Sequence, residues 1–399
     1  MQTNSRHYPF YICIDYFGSD NSKFIDELIT KLQSFPYGET SILHAYEWKD
    51  FNHLIEIINQ IKLRLPDQKI IWILPESIYF LQKQVLADTG IVFYLMDTDI
   101  LNLYFELDLY KSCDISKVWN DNAEKFLFLT GKPNKKNRIQ LMHKLYKKGL
   151  LDKAVWSLFV NESLRRSCRH LLSELTDAEY NEFLDTHIGS PDKIEPTYGR
   201  QSSVHYDGYP YDCSLYENTL FRLVSETQMF DVPLLTEKTW VTIINNQPFL
   251  IAGFPGSLDF LIYAGFKTFQ EYLPYPNYDS EVDDSVRYSQ VISNTAYLLD
   301  NAVDAKSNIH ADVKHNYELL RGIMNRYHSY INCIHEQINF PGSKPFQIIP
   351  QPSKRAHWIN FYYSIKAPHW PDCYVEEHFK FLPEHIRNEC VDNFGYKEK

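Results

Sequence analysis

The feature that most constrains the fold is an alternation of short, almost wholly apolar runs with amphipathic stretches of 12 to 16 residues. YICIDYF (11–17) is apolar, β-branched and aromatic, and reads as a strand. SKFIDELITKLQSF (22–35) places Phe24, Ile25, Leu28, Ile29 and Leu32 at helical spacing. SILHAYEW returns to strand, and DFNHLIEIINQIKLRL is helical with Asp50 as its N-cap. KIIWILP and IVFYLMD are apolar throughout, as strands buried on both faces of a parallel sheet are. Strands separated by helices in this way form βαβ units with right-handed crossovers. Residues 1–120 are therefore expected to form one α/β domain.

A second α/β domain is expected over 121–339. EKFLFLTG is a buried strand, the polar loop KPNKKN follows, and a helix begins near Arg138 with Ile139, Met142, Leu145 and Tyr146 on one face. AVWSLFV reads as a strand and NESLRRSCRHLLSEL (161–175) as a long polar helix. Residues 188–213 are rich in turn formers, and a loop of that length is more often functional than accidental. TLFRLVSET, TEKTWVTIINN, QPFLIAG and SLDFLIYAGF then read as strand, helix, strand and helix. From 280 to about 338 the pattern is helical, and 340–399 is expected to wrap back on the N-terminal domain. The whole is two Rossmann-like α/β domains, which place ligands at the carboxyl ends of their strands.

Composition removes several classes of function. The net charge is −11, with no Lys/Arg-rich block, which argues against nucleic acid as a partner. The seven cysteines are scattered, with no C-x-x-C pair, so neither a zinc ribbon nor a disulfide framework is indicated and a reducing compartment fits. The N-terminus lacks the pattern of a signal peptide, and no apolar run approaches the ~18 residues needed to span a bilayer. A cytoplasmic protein is expected, with peripheral contact at the inner face of a membrane left open. The 29 Tyr and 7 Trp suit stacking on sugars and bases, though aromatics also fill cores.

The stretch Ser225-Glu226-Thr227-Gln228-Met229-Phe230-Asp231-Val232-Pro233-Leu234-Leu235-Thr236-Glu237-Lys238 carries the most chemistry. It leaves a strand, crosses a loop and enters a helix for which Thr236 is a good N-cap. Glu237 and Lys238 then sit in the first turn, where free N–H groups and the helix dipole favour phosphate. Lys238 adds a full charge, and Glu237 can accept hydrogen bonds from a ribose diol. The same Thr-Glu start is also ordinary capping chemistry. Arg138, after the loop that opens at Thr130-Gly131, is placed to bind phosphate or a sugar carboxylate bidentately, with Lys135 and Lys136 as lesser candidates. Gly253-Phe254-Pro255-Gly256-Ser257 is a strand-to-helix turn with Ser257 as N-cap, whose backbone N–H groups are candidates to hold a ligand. His205 and Tyr206 lie in the long loop.

SETQMFDVPLLTEKTW, followed by NNQPFLIAGFPGSLDFLIYAGFKTF, resembles the donor-binding segment of glycosyltransferases with the two-domain GT-B architecture. It is similar to α-1,3-fucosyltransferases, whose strand-loop-helix ends in Asp-Tyr-x-Thr-Glu-Lys. Thr236, Glu237 and Lys238 match that ending, while the aspartate here is three residues further upstream. The layout more closely resembles the retaining β-Kdo transferase domain of bacterial O-antigen synthases, which has a modified GT-B fold and an aspartate nucleophile. The resemblance implies an enzyme moving Kdo from CMP-Kdo, with retention, onto an oligosaccharide or lipid-linked glycan acceptor such as lipopolysaccharide O-antigen. It implies a donor site of Ser225, Thr236, Glu237, Lys238, Arg138, Gly131, Gly256 and Ser257. Retention by two inversions needs an ionised carboxylate on a short tether beside the anomeric carbon. Asp231 fits as nucleophile, and Glu226 is the alternative carboxylate or a general base. An Asp231 that merely forms a turn before Pro233 stays open.

A metal is not expected. Asp97-Thr98-Asp99 ends a strand like the D-x-D of metal-dependent transferases, but it lies in the domain assigned to the acceptor. P-loop, G-x-G-x-x-G and G-x-S-x-G motifs are absent. Two other readings stay open: an inverting transferase using a nucleoside diphosphate sugar such as GDP-fucose, and a non-catalytic carbohydrate- or nucleotide-binding module of a larger synthase.

Overall fold

The structure is a computed structural model, described here for residues 11–14, 21–33, 40–45, 51–74, 91–95, 100, 123–130, 135–158, 165–166, 168–187, 214–226 and 235–337. The chain divides into two compact units, residues 1–108 with 325–399 and residues 109–324. No helix among the described residues is long and apolar enough to cross a membrane. The segment 340–399 lies outside the described residues.

The first unit holds strands β1 (Tyr11–Ile14), β2 (Thr40–Ala45), β3 (Lys69–Leu74) and β4 (Val92–Leu95), with helices α1 (Asn21–Gln33) and α2 (Phe51–Arg64). The strands are parallel and lie in the order β1-β2-β3-β4. α1 buries Ile25, Leu28, Ile29 and Leu32, and α2 buries Ile57, Ile58 and Ile61. Helical spacing of apolar residues thus became one dry face on each helix, and Trp72 of β3 is fully buried.

The second unit contains β5 (Phe126–Leu129), α3 (Lys136–Lys147), β6 (Ala154–Ser157), α4 (Asp177–His187), α5 (Ser214–Glu217), β7 (Arg222–Ser225), α6 (Glu237–Ile244), β8 (Phe249–Ala252) and α7 (Ser257–Tyr263). The 54-residue α8 (Asp284–Gln337) begins there as well. Its four strands are parallel in the order β6-β5-β7-β8. Phe126, Leu127 and Phe128 of β5 and Leu223 and Val224 of β7 are buried, which explains why β5 is apolar throughout rather than alternating; β7 buries Arg222 and Ser225 at its ends as well. Ile139, Leu141, Met142 and Leu145 press α3 into the core, and Lys144 Nζ donates to Ser289 Oγ of α8 at 3.3 Å.

Of the helix expected over 161–175, residues 165, 166 and 168 are α-helical and Arg169–Leu172 continue as a 3-10 turn. A further helix, α4, follows. Its start is a reciprocal cap: Thr176 N and Oγ1 both donate to Glu179 Oε2 at 2.9 Å, while Glu179 N donates to Thr176 Oγ1 at 3.2 Å.

Candidate functional site

In the second unit the chain places β6 on one side of β5 and then returns to lay β7 on the other. In open α/β sheets, ligands bind at the carboxyl ends of the strands where the strand order reverses. β5 ends there at Thr130, whose hydroxyl donates to Ser157 O at 2.6 Å and locks it to β6. α3 starts on the same edge with Asn137 and Arg138, and β7 ends with Ser225 and Glu226.

The start of α3 is charged against its own dipole. Lys135, Lys136 and Arg138 gather at the positive end of the helix, no acidic residue occupies the first turn, and Lys135 provides no side-chain cap. Each misplaced charge costs about 0.3–1 kcal/mol at an exposed helix end, and a bound anion would turn that cost into attraction. Lys136 faces away to Asp284, 3.3 Å from its carboxylate. Arg138 is 9% exposed.

Asn137 is fully buried and ties this helix start to the end of β7: its Nδ2 donates to Ser225 Oγ at 3.1 Å and to Glu226 O at 2.5 Å. Among the described residues its Oδ1 has no hydrogen-bond partner. An unsatisfied buried acceptor costs about 1–3 kcal/mol, so the amide is not there for stability alone.

Glu226, also fully buried, passes the connection on. Its Oε1 accepts from Thr236 N at 3.0 Å and Thr239 Oγ1 at 2.6 Å, and its Oε2 accepts from Thr236 Oγ1 at 2.5 Å. Both carboxylate oxygens are thus taken up in holding the first turn of α6. At Glu226, the alternative catalytic carboxylate of the sequence reading, these three hydrogen bonds anchor the start of the helix. Thr236 is the N-cap, as its sequence position implied, and accepts from Lys238 N at 3.5 Å.

Lys238 Nζ donates to Thr236 Oγ1 at 3.1 Å and pairs with Glu237 Oε1. The two side chains are 12% and 19% exposed. Burial alone opposes the charge on Lys238. The carboxylates of Glu237 and Glu226 outweigh it and hold the ammonium above the ordinary lysine range, against the opposing charge of Arg138. Arg138, from α3, is thus among the charges that act on Lys238, from α6. Two cations at two helix starts, with Glu237 as an acceptor beside them, are the equipment for holding a phosphate ester that also carries hydroxyl groups.

The turn from β8 into α7 departs from expectation. Gly256, not Ser257, is the N-cap residue, in the left-handed region at φ 88°, and Ser257 Oγ instead donates to Phe254 O at 2.6 Å. Asp279 supplies the cap from outside, its Oδ2 accepting from Leu258 N at 2.7 Å, while its carbonyl accepts from Gly256 N at 3.2 Å. Ser257 N donates to Phe254 O at 3.2 Å. The N–H groups of Gly256, Ser257 and Leu258, the first two among the expected donor-binding positions, are thus engaged inside the protein. Burial pushes the Asp279 carboxyl up to about 7, against the pull of the Leu258 N–H and of Arg287. Gly253 is adjacent to the site: a Cβ there would lie 3.0 Å from Ser257 Oγ and 3.4 Å from Glu226 Cβ.

The structure therefore brings Arg138, Ser225, Glu226, Thr236, Glu237 and Lys238 to one edge of the second sheet. Gly131, Asp231, Asp97, Asp99, His205 and Tyr206 lie outside the described residues. Sequence reasoning missed Asn137, Thr239 and Asp279, whose partners are distant in the chain. Compared with known proteins, the chain matches no protein-family model, no curated protein and no solved structure.

Proposed function

We propose that this protein is a glycosyltransferase whose second unit binds a nucleotide-sugar donor at the reversal between β5 and β7, in a GT-B-type arrangement with an acceptor domain at the N-terminus. The observation that carries the reading is that the start of α3, with Lys135, Lys136 and Arg138 and no acidic residue in its first turn, is tied through Asn137 and Glu226 to the start of α6, which carries Glu237 and Lys238. Such a site gains most from a phosphate ester. Glu237, paired with Lys238, accepts from ribose or sugar hydroxyls once phosphate takes over the ammonium.

The donor favoured is CMP-Kdo, and the transfer proceeds with retention. The carboxylate of Asp231 attacks the anomeric carbon, and the bond from that carbon to the phosphate oxygen breaks as CMP leaves. An acceptor hydroxyl on a glycan, such as O-antigen, then displaces Asp231, giving its proton to solvent or a basic group. The enzyme works without a metal at the cytoplasmic face of the inner membrane. A second reading, an inverting transferase using a nucleoside diphosphate sugar, is favoured by the presence of two cations, one for each phosphate.

Titration with CMP, GDP and UDP tests the proposal. A nucleotide that binds only the folded chain stabilises it by about 2.7 kcal/mol at a hundred times its dissociation constant, and CMP is expected to do so. Preference for GDP moves the reading to the inverting enzyme. Binding without sugar transfer to any acceptor leaves only a carbohydrate- or nucleotide-binding module, and no response to any of the three at millimolar concentration removes the proposal.

A further inference from the structure

We infer that Asn137 is a positioning residue for the phosphate-binding crevice: by bracing the start of α3 against the end of β7, it sets the separation of Arg138 and Lys238. The inference rests on reading that crevice as the ligand site. Asn137 and Arg138 are consecutive in the first turn of α3, so fixing one fixes where the other departs from the helix. The Asn137 amide grips Ser225 Oγ and Glu226 O. Glu226 grips Thr236 and Thr239, and Thr236 grips Lys238. One buried chain of hydrogen bonds therefore runs from one cation's helix to the other's. Asn137, Ser225, Glu226, Thr236 and Thr239 along it are all at most 6% exposed, so water does not loosen it.

The choice of side chain is informative. An amide is the shortest neutral group that offers two N–H donors from one atom, and both are used here. Its carbonyl oxygen has no partner among the described residues, a cost that a purely packing residue such as leucine would not carry. Helix starts tied through one buried hydrogen-bonded chain keep the same separation with and without a ligand. A crevice held ready avoids the work of ordering at binding.

A double-mutant comparison of ligand affinity tests the inference, using whichever of CMP, GDP or UDP the wild-type protein binds. Asn137→Ala is expected to weaken binding about tenfold, the effect of losing hydrogen bonds that preorganise a site. With Arg138→Ala already present there is no second cation to align, and the same change is expected to cost less than about twofold. An equal loss in both backgrounds would mean a general structural effect and would overturn the inference.

Amide hydrogen exchange gives a readout that needs no ligand. In Asn137→Ala, the amides of residues 236–244 are expected to exchange about tenfold faster, while those of 257–263 keep their protection. Unchanged exchange at 236–244 overturns the brace whether or not any nucleotide binds, and failure of the wild type to bind nucleotide counts against the proposed function alone. Should Asn137→Ala not fold, Ser225→Ala removes one acceptor of the same amide, and the same local acceleration is required of it.

Discussion

Replacing Glu226 with glutamine separates two roles that one carboxylate can play. In the structure it accepts three hydrogen bonds, from Thr236 N, Thr236 Oγ1 and Thr239 Oγ1, and is fully buried. Glutamine keeps the shape but offers one acceptor oxygen. If that oxygen stays with Thr236 N and Thr239 Oγ1, the new NH2 faces the Thr236 hydroxyl, which must turn to accept and loses its own acceptor. Hydrogen bonds to a charged group are worth about 1.5–3 kcal/mol each and neutral ones roughly 1 kcal/mol, so weakening two and reversing one costs about 2–3 kcal/mol. Loss of the negative charge beside Lys238 and the α6 dipole adds to this. Glu226→Ala leaves all three donors buried and unpaired, at about 4 kcal/mol or more.

Urea denaturation followed by intrinsic fluorescence measures the change as a shift in midpoint at constant slope. In conditions where the variant is folded, donor affinity is expected to fall, because the turn that carries Lys238 is less well held, while the turnover of bound donor changes little. A general base would give the opposite pattern. Removing such a base costs roughly 10² to 10⁴ in rate, with hardly any loss of stability. A Glu226→Gln protein within about 0.5 kcal/mol of wild type and a hundredfold slower would refute the anchoring role and return Glu226 to the chemistry.

Three further outcomes are expected. Lys238→Ala weakens nucleotide affinity by about 1–3 kcal/mol in calorimetric titration, and unchanged binding by the folded variant would remove Lys238 from the site. Asp231→Asn abolishes turnover by several powers of ten while nucleotide binding persists; intact-mass analysis of wild type given donor without acceptor shows one added sugar, mapped to the peptide holding Asp231. Near-normal turnover in that variant would refute the nucleophile. Asp279 has its carboxyl pushed from 3.8 up to about 7 in the fold, so the native state holds an extra proton between those values and stability falls as pH rises across that window. At about 1.4 kcal/mol per pH unit the loss approaches about 4 kcal/mol; Asp279→Asn mimics the protonated acid, so its advantage over wild type should grow from pH 5 to pH 8, and a constant difference would exclude the titration.

What the sequence disclosed was what is local. Thr236 as a cap and Glu237 and Lys238 in the first turn could be read because a helix start is decided within about four residues. β5 and β8 were legible because they are buried on both faces and so are apolar without interruption, and β7 because Leu223 and Val224 stand at its centre. Asn137 gave no such signal: its partners, Ser225 and Glu226, lie 88 and 89 residues away. Glu226 looked like an available carboxylate for the same reason, since only the returning loop brings Thr236 and Thr239 around it. Ser257 was the obvious local cap for α7, yet Asp279 takes that role from 21 residues downstream of Leu258. The Thr176-x-x-Glu179 box could have been found by eye, but the polar run before it met the helical pattern first.

The placement of β7 between β5 and β8 also has a consequence during synthesis. β5 is a run of four apolar residues, Phe126–Leu129, and one of its edges waits for Arg222–Ser225 to arrive. At roughly 5–20 residues per second, the intervening stretch of about 90 residues takes on the order of five to twenty seconds to emerge. For that interval the growing chain displays an unpaired apolar strand edge, the kind that pairs with other chains. Chaperone demand on the nascent protein should therefore peak before residue 222 is made and fall once β7 slots in. Conditions that slow translation through 130–220 would lengthen the exposure and lower the soluble yield, without altering the finished molecule.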